Sequence, residues 1–111
     1  MTDTYHIPIK PLSVNEAWRG RRFKSPAYKR YESVVMLLLR DIPLKASPPY
    51  KITLVFGMSN ARSDWDNPIK PFQDILQKRY GIDDKDIMEA HVYKQVVKKG
   101  EEFIGFSIDP I

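Results

Sequence analysis

The sequence has no cysteine and no long hydrophobic run. Without cysteine, the 111-residue chain can form neither disulfides nor a cysteine-ligated zinc site. Its longest apolar run, residues 34–39, is far shorter than the roughly 20 residues that span a bilayer. The first residues, MTDTYHI, carry neither the basic region nor the apolar segment of a secretory leader. We therefore expect a cytoplasmic protein that does not enter membranes.

The charged residues are unevenly distributed along the chain. The 18 basic and 14 acidic residues give a net charge of +4. Residues 19–30 hold six basic side chains and no acid, whereas residues 83–86 hold three acids in four positions. This segregation fits a polyanion-binding arm beside a cation-binding site, and the alternative for each cluster is solvated surface charge. The length fits one domain, residues 1–111.

Apolar residues alternate along several stretches, as expected for β-strands. Residues 5–9 form a first, half-buried strand. Residues 52–58 are apolar on both sides, which indicates a central strand. Residues 90–97 and 104–108 flank a turn at 98–101, and this arrangement predicts a closing hairpin.

Two further stretches have helical periodicity. Ser25 as N-cap and Pro26 at the first helical position begin a helix over residues 26–40. A second helix begins at Pro68, has one apolar face, and ends at Gly81. The order is therefore β-α-β-α-β-β, and we expect a single α+β domain with a mixed four-stranded sheet packed by both helices. The last two turns of the first helix are apolar nearly all round, which indicates either a dimer interface or burial under the sheet and loops.

Residues 11–24, PLSVNEAWRGRRFK, have the composition of a loop. Trp18 and Phe23 alternate here with arginines. Arginine on phosphate and an aromatic ring on a base are the usual contacts to irregular or single-stranded nucleic acid, whereas the alternative for the two rings is packing against the core. The residues predicted to contact DNA are Asn15, Arg19, Arg21, Arg22 and Lys24.

The segment 62–87, RSDWDNPIKPFQDILQKRYGIDDKDI, concentrates the candidate chemistry. In an extended chain Asp64 and Asp66 lie on one side and Trp65 on the other. We expect Trp65 to pack inward, and the alternative is stacking on DNA. The apolar faces suggest that the chain folds back after the helix. This aspartate pair and the acidic cluster at 83–86 would then converge at one end of the helix.

The same segment resembles the RusA family of Holliday-junction resolvases. The run D-W-D-N-x-x-K-x-x-x-D-x-L, followed by G-I-D-D, is similar to the family signature of D-x-D-N-x-x-K, D-x-L, a Gly-containing turn and D-D. The upstream P-L-S-V-N-x-x-W-R-G-R resembles the family's P-P-S-x-N with its basic loop. The resemblance covers most of the chain, residues 7–108.

The resemblance implies a Mg²⁺-dependent endonuclease, with Mn²⁺ as a substitute, that resolves four-way DNA junctions in recombination and repair. Carboxylates suit Mg²⁺, a hard cation that prefers oxygen ligands and promotes phosphodiester hydrolysis. Paired symmetric nicks fit a twofold homodimer with one site per subunit. The metal ligands that the resemblance implies are Asp64, Asp66 and Asp84, and Lys70 completes the catalytic set.

Lys70 follows Asp66 by four residues and lies in the first turn of the second helix. There it could donate to the scissile phosphate or the leaving oxygen, with Asp74 orienting it through an i, i+4 ion pair. The alternative is an ordinary exposed lysine. Asp83 is expected to cap the acidic turn, and Asn67 is a candidate N-cap for the helix.

Two other functions remain open. One is a nucleic-acid-binding module that has lost cleavage, and the other is a less specific metal-dependent nuclease acting on branched or single-stranded DNA. The complete set of aspartates and the lysine argues against the first. Cleavage of four-way junctions compared with linear duplexes and flaps would distinguish the second from a junction resolvase.

Overall fold

The central element of the computed structural model is strand β4, Tyr50–Met58, which has a neighbouring strand on each side. The structure describes residues 4–19, 23–39 and 48–111. Ile52, Leu54 and Phe56 of β4 are buried, so the prediction of a central strand is confirmed. The other elements are β1 Tyr5–Ile7, α1 Val14–Ala17, β2 Trp18–Arg19, β3 Phe23–Lys24, α2 Pro26–Leu38, α3 Ile69–Tyr80, a 3₁₀ turn Asp84–Asp86, β5 Ile87–Val96 and β6 Phe103–Pro110.

The four-stranded sheet is mixed and has the order β1–β6–β4–β5. Strand β5 runs parallel to β4 and follows it through α3, while β6 runs antiparallel on the other side of β4 and β1 pairs with β6. Within the described ranges β5 pairs with β4 alone, so it is an edge strand.

The predicted hairpin between the last two strands is wrong. The turn itself is present, since the amide of Glu101 donates to the carbonyl of Lys98 at 2.9 Å. However, β4 lies between β5 and β6. With β1 paired to β6 as observed, a direct β5–β6 hairpin would move β4 to an edge, where one side of its backbone would have no strand to hydrogen-bond.

Helices α2 and α3 contribute to one core with the sheet, as predicted. Tyr28, Tyr31 and Val35 of α2 are buried, and the ring of Phe72 in α3 packs edge-on against Phe106 at 5.6 Å between ring centroids. The prediction of two helices is incomplete, because the stretch expected to be a loop contains the short helix α1 and the two-stranded β2–β3 ribbon. None of the described helices is long and apolar enough to cross a membrane.

Two helix ends follow the predicted signals, the start of α2 and the end of α3. The Ser25 hydroxyl accepts the amide of Tyr28 at 3.1 Å, as an N-cap should. Gly81 has φ of 69° and ends α3 in the left-handed conformation. The apolar second half of α2 is partly uncovered, and Leu37 is 86% exposed.

Candidate active site

The loop between β4 and α3 carries the aspartate pair and is fixed at several points. The hydroxyl of Ser59 donates to the Glu102 carboxylate at 2.9 Å, which ties the start of the loop to the segment before β6. At the other end of the loop, the amide of Val14 donates to the carbonyl of Asn67 at 2.8 Å. The loop is therefore anchored at both of its ends.

Lys94 on β5 holds the middle of the same loop. Its ammonium group donates to the carbonyl of Ala61 at 2.7 Å and also to the carbonyl of Ser63. The Lys94 side chain is half-buried, so these bonds form partly away from water. Sequence reasoning missed this residue, because nothing in the alternation of β5 distinguishes a lysine that binds a distant loop from one that faces solvent.

Asp64 and Asp66 lie exposed on this anchored loop. The side-chain amide nitrogen of Asn67 lies 3.5 Å from one carboxylate oxygen of Asp64. The backbone carbonyl of Asp66 accepts a hydrogen bond from the backbone amide of Ile69. Among the described residues, no salt bridge involves either carboxylate. Carboxylate oxygens are the ligands that Mg²⁺ prefers.

The expectation that Trp65 packs inward is wrong, because its side chain is 56% exposed. Strand β4 ends at Met58, and residues 61–68 form turns and bends and contain no strand. The alternation of sides that placed Trp65 toward the core applies only to a strand. The ring is therefore presented on the surface between two exposed carboxylates.

Lys70 lies in the first turn of α3, as predicted. Its ammonium group is 3.3 Å from a carboxylate oxygen of Asp74, which confirms the expected i, i+4 pair, and its side chain is 65% exposed. Pro71 is buried in the same turn and does not interrupt the helix. Asn67 is not the N-cap: Pro68 occupies that position with helical backbone angles and makes no side-chain cap bond.

Asp84 lies at the opposite end of the sheet from the aspartate pair. Tyr50 pairs with Ile87 and Met58 with Val96, so β4 and β5 begin and end together. The nine-residue β4, at about 3.3 Å per residue, separates the two ends by roughly 26 Å. The expected convergence of the two acidic clusters is therefore wrong within one chain.

The metal ligands predicted from the sequence are accordingly not gathered in one place. No group of three or more His, Asp or Glu side chains in residues 4–19, 23–39 and 48–111 is arranged to hold a metal ion. Asp83 behaves as predicted, since its carboxylate accepts the amide of Lys85 at 3.2 Å and caps the 3₁₀ turn. The structure brings together Asp64, Asp66 and the start of α3, and leaves Asp84 apart.

The predicted DNA-binding stretch is described only in part. Arg21 and Arg22 lie outside the described residues, and only the backbone of Arg19 is described, in β2. Asn15 is exposed in α1, and its amide donates to the hydroxyl of Ser13 at 3.2 Å. Lys24, at the end of this stretch, is paired with an acidic residue of α2.

Lys24 forms an ion pair with Glu32 at 3.2 Å, and Lys78 of α3 pairs with the same carboxylate at 3.2 Å. The Lys24 ammonium group also lies 4.9 Å from the centre of the Tyr28 ring. Partial burial of Glu32 opposes its ionisation, but the hydrogen bonds and charges of the two lysines outweigh it and lower the pKa of this carboxyl below 4.5. Glu32 thus connects the end of the basic stretch to the helix that carries Lys70.

A cavity of about 270 Å³ adjoins the aspartate loop. Ser63, next to Asp64 in sequence, and Asn67, next to Asp66, contribute to its wall from the loop. The remaining lining is of mixed charge, with Lys10 opposed by Glu16 and Glu102. This composition indicates a polar cleft without a strong preference for anions or cations.

Neither protein-family models nor curated protein sequences give a match to this chain.

Proposed function

We propose that the protein is a Mg²⁺-dependent structure-specific endonuclease that cuts four-way DNA junctions by paired nicks, similar to RusA resolvases. The observation that carries the proposal is the anchored loop that presents Asp64 and Asp66 directly before the helix of Lys70. Phosphodiester hydrolysis needs carboxylates for a hard cation and a positive group for the departing oxygen. These three residues supply both within seven positions of the chain.

The carboxylates would hold Mg²⁺, which activates water and neutralises charge on the phosphate when it is bound. Lys70 would stabilise the negative charge that develops on the cleaved group. Its ion pair with Asp74, one turn further along α3, orients the ammonium group. Mn²⁺ has the same ligand preference and would substitute.

The position of Asp84 adds a requirement to this proposal. Since roughly 26 Å of β4 lie between Asp84 and the aspartate pair, the two cannot share a metal ion within one chain. In a homodimer, antiparallel pairing of β5 with its copy would bring Asp84 of the partner subunit to the end of the sheet that carries Asp64. A twofold axis would then create two equivalent sites, as paired nicks require.

Strand β5 has the properties of such a pairing edge. Its outer edge has no strand partner among the described residues, it is ten residues long, and it contains no proline. Met88, Tyr93 and Val96 on this strand are exposed apolar or aromatic side chains. Long unprotected edges tend to pair with another strand. The exposed face of α2 around Leu37 is the competing interface.

A subunit-mixing experiment tests the function and the arrangement together. Asp64→Asn and Asp84→Asn should each abolish Mg²⁺-dependent nicking while junction binding persists. When the two inactive proteins are mixed, the heterodimer would contain one complete site if Asp84 acts across subunits, and single nicks should return. Continued inactivity of the mixture would exclude the shared site, and near-normal cleavage by both single variants would exclude the nuclease assignment.

Introduced cysteines identify the interface, because the natural chain has none. Antiparallel β5 strands would place the two copies of Val92 close to the twofold axis, with Cα atoms about 5.5 Å apart, within the range that a disulfide can bridge. Val92→Cys should therefore cross-link in oxidising conditions, and Leu37→Cys should not. The opposite result would assign the interface to α2.

Two alternatives are distinguished by substrate. A protein that binds junctions but cuts nothing in Mg²⁺ or Mn²⁺ would be a binding module. Equal cleavage of flaps, single strands and junctions would indicate the less specific nuclease. Preference for four-way junctions, with cuts at symmetric positions on opposing strands, is the result expected of a resolvase.

A further inference from the structure

Trp65 is a large aromatic side chain that the fold leaves uncovered. Trp65 is 56% exposed, whereas Phe56, Phe72 and Phe106 are fully buried, and among the described aromatic residues Tyr93 is the other exposed one. It stands between Asp64 and Asp66 on the anchored loop. We propose that Trp65 stacks on an unpaired DNA base beside the cleaved phosphate and so selects branched over duplex DNA. This inference rests on the proposed nuclease function.

The loop presents the ring at little cost in conformational entropy. Lys94 holds the carbonyls of Ala61 and Ser63, and the Ser59–Glu102 hydrogen bond holds the start of the loop. A side chain on a loop that is already ordered loses less freedom on binding than one on a mobile segment. An aromatic ring on an ordered backbone is therefore suited to stacking.

The position of Trp65 along the chain favours a base as its ligand. Its Cα is about 3.8 Å from those of Asp64 and Asp66, which are the proposed ligands of the ion at the cleaved phosphate. A base belongs to the same nucleotide as its phosphate, so a ring beside the metal ligands is within reach of a base beside the cut. Stacking on aromatic rings is the general way in which proteins bind unpaired bases.

Stacking by Trp65 favours branched DNA over linear duplex. In the interior of a duplex both faces of each base are already stacked on neighbours, so Trp65 finds no free face there. At a branch point, a base leaves the stack more readily than in a continuous duplex, and stacking on the indole offsets the stacking that it loses. Trp65 therefore strengthens binding to junctions and contributes little to binding of linear duplex.

The two carboxylates beside Trp65 make its contact with DNA depend on a cation. Two exposed carboxylates flank Trp65 and repel DNA phosphates unless a cation neutralises them. The contact between the indole and the base should therefore depend on a divalent ion even when no cleavage occurs. Ca²⁺, which also takes carboxylate oxygens as ligands, can supply the neutralising charge in a binding experiment.

The experiment measures binding of a four-way junction and of a linear duplex of the same sequence in Ca²⁺ and in EDTA. A 2-aminopurine at the branch point reports stacking by a decrease in its fluorescence. Trp65→Ala should weaken junction binding in Ca²⁺ about 5- to 150-fold, the equivalent of one lost base stack, and should abolish the fluorescence decrease. Duplex binding should not change. Trp65→Phe should retain most of the effect, and Ile111→Ala, another exposed apolar side chain, is the matched control.

Three results would overturn the inference. Junction binding by Trp65→Ala could equal that of the parent protein, or the variant could lose junction and duplex binding equally. Alternatively, Trp65→Ala could weaken self-association in sedimentation and leave DNA binding unchanged, which would mean that a second copy covers the ring. If the parent protein neither binds nor nicks junctions, the proposed function fails as well. If the parent protein nicks junctions and Trp65→Ala binds them equally well, only the role of Trp65 is refuted.

Discussion

Replacement of Lys94 by methionine tests whether the loop clamp positions the proposed catalytic carboxylates. Methionine keeps much of the apolar length of the lysine side chain but removes the ammonium group. The carbonyls of Ala61 and Ser63 then lose their shared donor. Both carbonyls belong to the loop that carries Asp64, so the substitution acts on the geometry of the carboxylates and not on the core.

The size of the effect follows from the number and exposure of the lost bonds. A hydrogen bond with a charged donor contributes about 1.5–3 kcal/mol to stability when it is shielded from water. The Ala61 carbonyl accepts its bond at an exposed position and Lys94 is half-buried, so we expect a loss of free energy of unfolding near the lower end, about 1–2 kcal/mol. Cleavage should suffer more, because a displacement of about 1 Å at a reacting group can lower a rate about 10²-fold.

The assay compares single-turnover nicking of a four-way junction with urea unfolding for the same proteins. Lys94→Met should lower the cleavage rate by about 10- to 100-fold and raise the Mg²⁺ concentration needed for half-maximal rate, since misplaced ligands bind metal less well. Lys99→Met, at an exposed lysine of the following turn, is the matched control and should change neither quantity. A parental rate and a parental Mg²⁺ requirement in Lys94→Met would refute the positioning role.

Three further outcomes are expected. A Cβ on Gly57 would overlap the ring of Phe103, so Gly57→Ala should lower the free energy of unfolding by about 1–3 kcal/mol. Phe103→Leu in the same chain should recover part of the loss, and additive effects would refute the steric cause. Since the pKa of Glu32 is lowered in the folded state, its contribution is present above about pH 4.5 and is lost as the pH falls through the folded pKa. Glu32→Gln should therefore be less stable than the parent by up to about 1 kcal/mol at pH 7, and the difference should disappear in urea titrations at low pH; a difference independent of pH would contradict the ion pairs. Lys70→Ala should lower the single-turnover rate by roughly 10²–10³ with little change in DNA binding, and cleavage at the parental rate would make Lys70 a surface lysine.

Features determined by local sequence could be predicted. The cap at Ser25, the end of α3 at Gly81 and the turn at Asp83 each depend on interactions within four residues along the chain. Such interactions depend little on the rest of the fold, so residue types alone identify these three, although the same reasoning wrongly predicts Asn67 as the N-cap of α3. The pair of Lys70 and Asp74 belongs to the same class, because spacing along a helix fixes which side chains meet.

Features that depend on pairing between distant segments were missed. Lys94 reaches a loop about 30 residues earlier in the chain, and no local pattern records that contact. The prediction that Trp65 packs inward is wrong for a related reason. It assumes that the alternation of sides in β4 continues past Met58, although the strand ends there and the chain turns. Where a strand ends is set by its neighbours in the sheet, and these are not visible in a run of eight or ten residues.

The separation of Asp84 from Asp64 differs from these cases, because the sequence did contain the information. A strand followed by one helix and another strand in the same sheet normally gives two parallel strands. The 12 residues of α3, at about 1.5 Å each, return the chain by roughly 18 Å toward the start of β4. Acids after the first strand and acids before the second must then lie at opposite ends of the sheet. A three-aspartate site assembled from this pattern therefore needs a second chain, which makes self-association a condition of the proposed activity rather than an addition to it.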